Sequence, residues 1–156
     1  MPIINIHTCL GVQPEDDRVH DAPTLLAEMD RAGVAEALCM HFAAIRYDTA
    51  LGNAKLWQIC RSYPRLHPVA VVNPSAHIGV LEEIRHGAER GACAFRFVPA
   101  KQSWALDSEA FVRAWSALAE TGLPGMVEVG ASGEATRVAH LTSSSNAVLV
   151  LANVGY

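Results

Sequence analysis

The first apolar segment of the chain carries side chains that can hold a metal or move a proton. Asn5, His7 and Cys9 alternate along it, so in a regular β-strand they share one face. A histidine nitrogen and a cysteine thiolate are both zinc ligands, and histidine titrates near neutral pH. The spacing therefore predicts a strand whose end supplies metal ligands or a general acid or base.

Polar side chains also stand at the ends of later apolar segments. Ala37 and Cys39 share the alternation face of His41, and Leu151 shares that of Asn153. Small or apolar residues followed by a polar one suit the inner face of a curved sheet, with the polar residue at its rim. If these strands curve into a barrel, the side chains that would meet at one rim are His7, Cys9, His41, Arg96, Glu128 and Asn153.

Arg96 and Glu128 end neighbouring predicted strands. A guanidinium and a carboxylate in one cavity can pair with each other or hold a ligand that bears a carboxylate. Unpaired charges inside a sheet are costly, which favours a functional reason for this pair.

A short β-rich apolar run, a loop and an amphipathic helix repeat along the chain. The predicted strands are Ile3–Thr8, Val34–His41, His67–Asn73, Ala92–Val98, Gly125–Val129 and Ala147–Asn153. The predicted helices are Pro23–Ala32, Asp48–Ser62, Ile78–Arg90, Ser108–Thr121 and Gly133–Leu141. Strands that are apolar on both faces favour a parallel sheet covered by helices.

The segment Ile3–Gly11 resembles the first strand of the amidohydrolase-related family, whose pattern is Asp-x-His-x-His followed by Gly. His7 and Gly11 match it, while Cys9 stands where the second histidine is expected. Further similarities follow in family order at Tyr47-Asp48, Gly52-Asn53, Pro64–Pro68, Asn73-Pro74, Gly91–Arg96 and Leu123-Pro124. The resemblance implies a (β/α)8 TIM barrel with its site at the carboxyl ends of the strands.

The resemblance also implies a degenerate metal site. Metal-binding relatives place histidines near the ends of strands five and six, and the matching positions are Glu128 and Asn153. Zinc or another divalent metal on His7, Cys9 and Glu128 would still be an acceptable open site.

The predicted fold is a partial TIM-type barrel of about six parallel strands and five helices, because a full barrel takes about 250 residues. Residues 1–156 would form one incomplete barrel domain. An open, doubly wound, flavodoxin-like sheet is the alternative. Unpaired edge strands in an incomplete barrel predict a dimer or another homo-oligomer, or poor solubility.

The leading functional hypothesis is a metal-free small-molecule enzyme or ligand-binding barrel. His7 and Glu128 would then be catalytic, and Arg96, His41 and Asn153 would bind the substrate. One alternative is a metal-dependent hydrolase of an amide, lactone or similar small substrate, in which His7, Cys9 and Glu128 hold the metal. Another is an inactive fragment or a structural partner domain.

Composition limits the partners. The formal charge of −4, with scattered basic residues, offers no stripe for nucleic acid or anionic lipid. No segment has the roughly 18 apolar residues of a membrane span. Four cysteines without a Cys-x-x-Cys motif predict reduced thiols and a cytoplasmic protein. The acidic loop 15–20 places His20 in a predicted solvated position.

Overall fold

The computed structural model describes residues 1–76 and 79–153, and the chain divides into two compact units. Unit 1 is Met1–Val69 and unit 2 is Ala70–Tyr156. Strand β4 crosses the boundary between them.

Strands and helices alternate through both units. The strands are β1 Ile3–Val12, β2 Val19–His20, β3 Val34–His41, β4 Leu66–Val72, β5 Ala94–Phe97, β6 Gly125–Glu128 and β7 Leu149–Ala152. The helices are α1 Ala22–Ala32, α2 Phe42–Arg46, α3 Thr49–Ser62, α4 Val80–Glu89, α5 Pro99–Gln102, α6 Glu109–Thr121 and α7 Glu134–Thr142. The fold is of the α/β class, as the sequence predicts.

Each of the six predicted strands and five predicted helices is present, with ends shifted by a few residues. The start of the third predicted helix, at residue 78, lies outside the described residues. Three short elements, β2, α2 and α5, were not predicted, because two to five residues carry too little periodicity to detect. Within the described part of the chain, no helix is both long enough and apolar enough to span a membrane.

Local chemistry explains where the longer helices begin and end. The side chains of Asp21, Asp48 and Ser108 accept hydrogen bonds from backbone N–H groups in the first turns of α1, α3 and α6. Gly33 and Gly122 end α1 and α6 in the left-handed conformation, which glycine adopts without strain. These signals are local, so the sequence predicts the long helices well.

In unit 1 the strands lie in the order β2-β1-β3-β4. β1, β3 and β4 are parallel, whereas β2 pairs antiparallel with the end of β1. The core packs one face of these strands against α1 and α3, and its buried members are Leu10, Ala22, Met29, Ala37, Cys39, Leu56 and Leu66.

The predicted faces of β1 and β3 are wrong. Ala37 and Cys39 belong to the core packed against α1 and α3, so their alternation face is the helix-covered one. In β1 the register shifts between Asn5, which lies opposite Ala37, and Thr8, which lies opposite Cys39. An extra residue reverses the alternation that follows it. Asn5 and Cys9 therefore do not share a face.

In unit 2 the parallel strands lie in the order β5-β6-β7. Phe97 makes ring contacts with Phe111 and Trp115 of α6, with ring centroids 5.3 and 5.9 Å apart. Alternation along β5 then turns Arg96 to the opposite face. Arg96 lies opposite Met126 in the register, so Glu128 belongs to the same face as Arg96. This part of the predicted face assignment is confirmed.

The predicted face of the last strand is wrong by one residue. Glu128 lies opposite Ala152, and Val127 lies opposite Leu151, so Leu151 is on the face away from Glu128. The strand ends at Ala152, and Asn153 has a φ of 61°, which breaks the extended alternation. An apolar segment that can be buried on both faces carries no sequence signal that tells these faces apart.

Gly125 sits where β6 meets α6, and we predict that Gly125→Ala destabilises the protein by about 1–3 kcal/mol. A Cβ there would lie 2.3 Å from Cζ3 of Trp115, whose ring is held in the aromatic core. Gly130→Ala is the matched control, because nothing lies within 4 Å of its Cβ. Urea denaturation of both variants tests this, and equal midpoints would contradict it.

Candidate functional site

Two cations hold one carboxylate at the ends of β5 and β6. Arg96 Nη2 is 3.1 Å from Glu128 Oε2. Lys101 Nζ is 3.2 Å from Glu128 Oε2 and 3.1 Å from Glu128 Oε1. The side chain of Arg96 is 1% exposed, that of Glu128 13% and that of Lys101 33%. The three side chains thus run from the buried face of the sheet toward solvent.

Electrostatics keeps this cluster charged. Burial by itself raises the pKa of Glu128, but the hydrogen bonds and charges of Lys101 and Arg96 together outweigh it, so the pKa is lowered. Glu128 is therefore ionised at neutral pH and can accept a proton but has none to donate. With two cations and one carboxylate, the cluster carries a net charge of +1.

The guanidinium of Arg96 has hydrogen-bond acceptors for only some of its N–H groups among the described residues. Its Nε and Nη1 atoms are buried and have no hydrogen-bond partner among the described residues. Leaving buried donors unsatisfied costs about 1–3 kcal/mol, more for charged groups. The cluster therefore combines positive charge with hydrogen-bond donors for which residues 1–76 and 79–153 supply no acceptor.

Lys101 is the functional candidate that sequence reasoning missed. It lies on α5, a single turn that starts at the buried Pro99 and ends at Ser103, whose φ is 55°. This turn brings Lys101 back over the end of the sheet, where it reaches Glu128. In the sequence, Lys101 is distinguished only by its position five residues after Arg96. This position indicates a role in the site only when the turn α5 is known.

A separate cavity in unit 1 contains His7 and Cys9. Its volume is about 420 Å³, and it lies between β1, β2 and the first turns of α1 and α2. His20, predicted to be solvated, also lines it and is partly buried. His20 Nε2 is 3.1 Å from Gln13 Oε1, and its ring packs against Phe42. The cavity lining is Asn5, His7, Thr8, Cys9, Arg18, Val19, His20, Asp21, Thr24, Leu25, Glu28 and Phe42.

His41 has a structural task that the sequence does not reveal. Its Nδ1 accepts a hydrogen bond of 3.1 Å from the backbone N–H of Ala43, capping α2. The ring packs against Gly11, where a Cβ would come within 2.6 Å of Cε1 of His41. Burial lowers the pKa of His41, and the charge of Lys55 lowers it further, so the ring is neutral near pH 7.

The predicted site residues thus divide between the two units. His7, Cys9 and His41 belong to unit 1, while Arg96, Glu128 and Asn153 belong to unit 2. Within unit 2 the pairing of Arg96 with Glu128 is observed. Asn153 follows β7 in a left-handed turn. A common rim that joins all six side chains stays a prediction.

The fold and its strand-end site define a class of α/β protein built on parallel strands and covering helices. The sequence profile of the amidohydrolase family matches residues 10–149, and the chain belongs to that family. No curated protein sequence matches the chain.

Solved structures with the same fold are distant in sequence. A probable 2-pyrone-4,6-dicarboxylic acid hydrolase from Acinetobacter baumannii, with citric acid bound, superposes with a TM-score of 0.73 at 12% identity over 97% of this chain and 58% of that one. An uncharacterised TIM-barrel protein from Bordetella bronchiseptica gives 0.71 at 11% identity, over 96% of this chain and 66% of that one. The 5-carboxyvanillate decarboxylase from Novosphingobium aromaticivorans, complexed with manganese and 4-hydroxy-3-methoxy-5-nitrobenzoic acid, gives 0.69 at 18% identity, over 93% and 55%.

These similarities identify the fold as that of a TIM barrel in part, rather than an open doubly wound sheet. The chain spans between 55% and 66% of the length of the three structures.

A divalent metal occurs in this fold family, as the manganese complex shows. The described residues do not supply a ligand set for one. Among residues 1–76 and 79–153, no group of three or more His, Cys, Asp or Glu side chains could hold a metal ion. Both oxygens of Glu128, the predicted carboxylate ligand, are already held by Lys101 and Arg96.

The lowered pKa of His41 predicts a pH-dependent stability. The unfolded imidazole takes up a proton near its ordinary pKa of about 6.5, while the folded one resists protonation, so stability is full above that pH and falls as the pH drops below it. In His41→Asn, whose side chain can still cap α2, the stability of the fold should decrease less than in the wild type between about pH 7 and 5.

Urea midpoints at the two pH values measure this effect. His86→Asn, an exposed change on α4, is the control and should keep the wild-type pH dependence. An unchanged pH dependence in His41→Asn would refute the assignment.

Proposed function

We propose that this member of the amidohydrolase family binds the carboxylate of a small organic acid at Arg96, without using a bound metal. It would be a metal-free small-molecule enzyme or a ligand-binding barrel. One observation carries the proposal: the buried Nε and Nη1 atoms of Arg96 have no acceptor among the described residues.

A carboxylate is the ligand that these donors fit best. A guanidinium offers its N–H groups in a planar fork, and two carboxylate oxygens accept them as a parallel pair. A single carboxylate would also balance the net charge of +1 on Arg96, Lys101 and Glu128. Phosphate would fit the fork equally well in geometry but would bring a charge nearer to −2.

The compounds named with the similar structures are consistent with this ligand class. The hydrolase is named for a dicarboxylic acid and holds citric acid, and the decarboxylase holds a substituted benzoic acid. At 12% and 18% identity these names do not transfer to this chain. They support the choice of small organic acids as the first compounds to test.

The remaining predicted roles form part of the proposal. Glu128 would act as a proton acceptor or as the counter-charge to Arg96, and His7 as a general acid or base in its own cavity. His41 and Asn153 are retained as substrate contacts, although the capping bond of His41 is a sufficient structural reason for its position.

We also propose that residues 1–156 form one incomplete barrel domain in the cytoplasm, where the four cysteines stay reduced. A single cooperative unfolding transition would support one domain. Self-association stays a prediction, and the exposed side chains of Ile3, Ile4 and Ile6 on β1 are apolar surface that such contact would cover.

Thermal unfolding with added ligands tests the carboxylate site. Benzoate and acetate, which each carry one carboxylate, at about a hundredfold excess over Kd should raise the melting temperature by about 5–10 °C, whereas the neutral isostere benzamide should not. Arg96→Met should abolish the rise. Arg113→Met, a 67% exposed change on α6, is the control and should keep it.

The outcomes separate the functional alternatives. Stabilisation by carboxylates without turnover indicates a ligand-binding barrel, and turnover indicates an enzyme. If neither carboxylate stabilises the wild type, or if Arg96→Met responds like the wild type, the proposal is wrong and the inactive or structural domain becomes the better hypothesis.

Metal analysis tests the alternative of a metal-dependent hydrolase. Protein purified without chelator should contain zinc and manganese well below one equivalent per chain, because the predicted ligands His7, Cys9 and Glu128 do not form a described cluster. Near-stoichiometric metal that disappears on Cys9→Ser, but not on Cys60→Ser, would establish the hydrolase hypothesis instead. Cys60 is a partly buried residue of α3 that packs against the core of unit 1.

A further inference from the structure

Glu128 is shared unequally between its two cations. Lys101 Nζ reaches both carboxylate oxygens, whereas Arg96 touches only Oε2, through Nη2 alone. Arginine and carboxylate ordinarily favour a bidentate pair with two parallel hydrogen bonds. Here the second oxygen of Glu128 is held by Lys101 instead.

This sharing has a direct consequence for Arg96. A carboxylate turned fully onto the guanidinium would occupy two of its donor positions and leave fewer for a ligand. With Glu128 drawn toward Lys101, both Nε and Nη1 remain without an acceptor among the described residues. Lys101 also sets the net charge of the cluster. The net charge of Arg96 and Glu128 together is zero, and Lys101 raises it to +1.

We infer that Lys101 is a positioning residue of the carboxylate site: by holding both oxygens of Glu128 it keeps this carboxylate off Nε and Nη1 of Arg96, and it supplies the charge that one ligand carboxylate balances. The inference rests on the proposed function. Lys101 would set the affinity of the site for a monoanionic group. It would do so without contacting the ligand.

The position of Lys101 suits this role. Its side chain is 33% exposed and lies on the single turn α5, outside the aromatic packing of Phe97 with Phe111 and Trp115. Replacement of Lys101 therefore removes charge from the cluster without opening a cavity in the core. Arg96, by contrast, is fully buried, so its replacement changes packing as well as charge.

The test compares the affinity for benzoate of the wild type, Lys101→Met, Lys101→Arg and Arg113→Met, by calorimetric titration. Lys101→Met should weaken benzoate binding about tenfold or more, while Lys101→Arg, which keeps the charge, and the exposed control Arg113→Met should stay within about threefold. Lys101→Gln serves as a second uncharged variant, and the melting temperature of each variant without ligand checks its folding.

NMR of the Arg96 Nε–H provides a readout that a purely structural role would not move. In the wild type this proton should shift on addition of benzoate. In Lys101→Met it should be shifted already without benzoate, because Glu128 is then free to pair with Arg96 in the bidentate geometry.

The two proposals fail in distinguishable ways. If the wild type binds no carboxylate, the proposed function is wrong, and the inference falls with it. If the wild type binds benzoate through Arg96 but Lys101→Met binds it equally well, the carboxylate site stands and only the role of Lys101 is overturned.

Discussion

The carboxylate of Glu128 is the group on which the candidate site depends. It is mostly buried, which by itself favours its neutral form, and it stays ionised because Lys101 and Arg96 face it together. The same carboxylate prevents Arg96 from being a lone buried charge, which a protein interior tolerates poorly. Removing Glu128 would leave two neighbouring cations without a counter-charge, whereas removing either cation would leave a neutral pair.

The packing of unit 2 places Arg96 and Glu128 on the same face of the sheet. Phe97 is fixed among Phe111, Trp104 and Trp115, so the preceding residue of β5, Arg96, lies on the other face of the sheet. The register that pairs Arg96 with Met126 then brings Glu128 to the same face one pleat further along. An apolar cluster on one face of the strands thus positions a charged cluster on the other.

The fold could largely be predicted from the sequence. The site could be predicted only where the sequence shows which face of a strand the helices cover. In β5, two phenylalanines flank an arginine, and this contrast identifies the helix-covered face correctly. In β3 one face carries small residues and the other mixes Glu36 with apolar residues, and in β7 both faces are apolar or small. Neither pattern shows which face the helices cover, so the faces predicted for Cys39 and Leu151 were wrong. The irregular register of β1 similarly separates Asn5 from Cys9.

By itself, the sequence determined the alternation of strands and helices, because hydrophobic periodicity depends on residues close together in the chain. Its motifs, in their order along the chain, also carried the resemblance to the amidohydrolase family. Only the tertiary structure decided that Lys101 joins Arg96 at Glu128, that His41 caps α2 beneath Gly11, and that His20 shares a cavity with His7. Those contacts arise from strand register and from single-turn elements, whose positions follow from packing between distant segments and leave no periodic trace in the sequence.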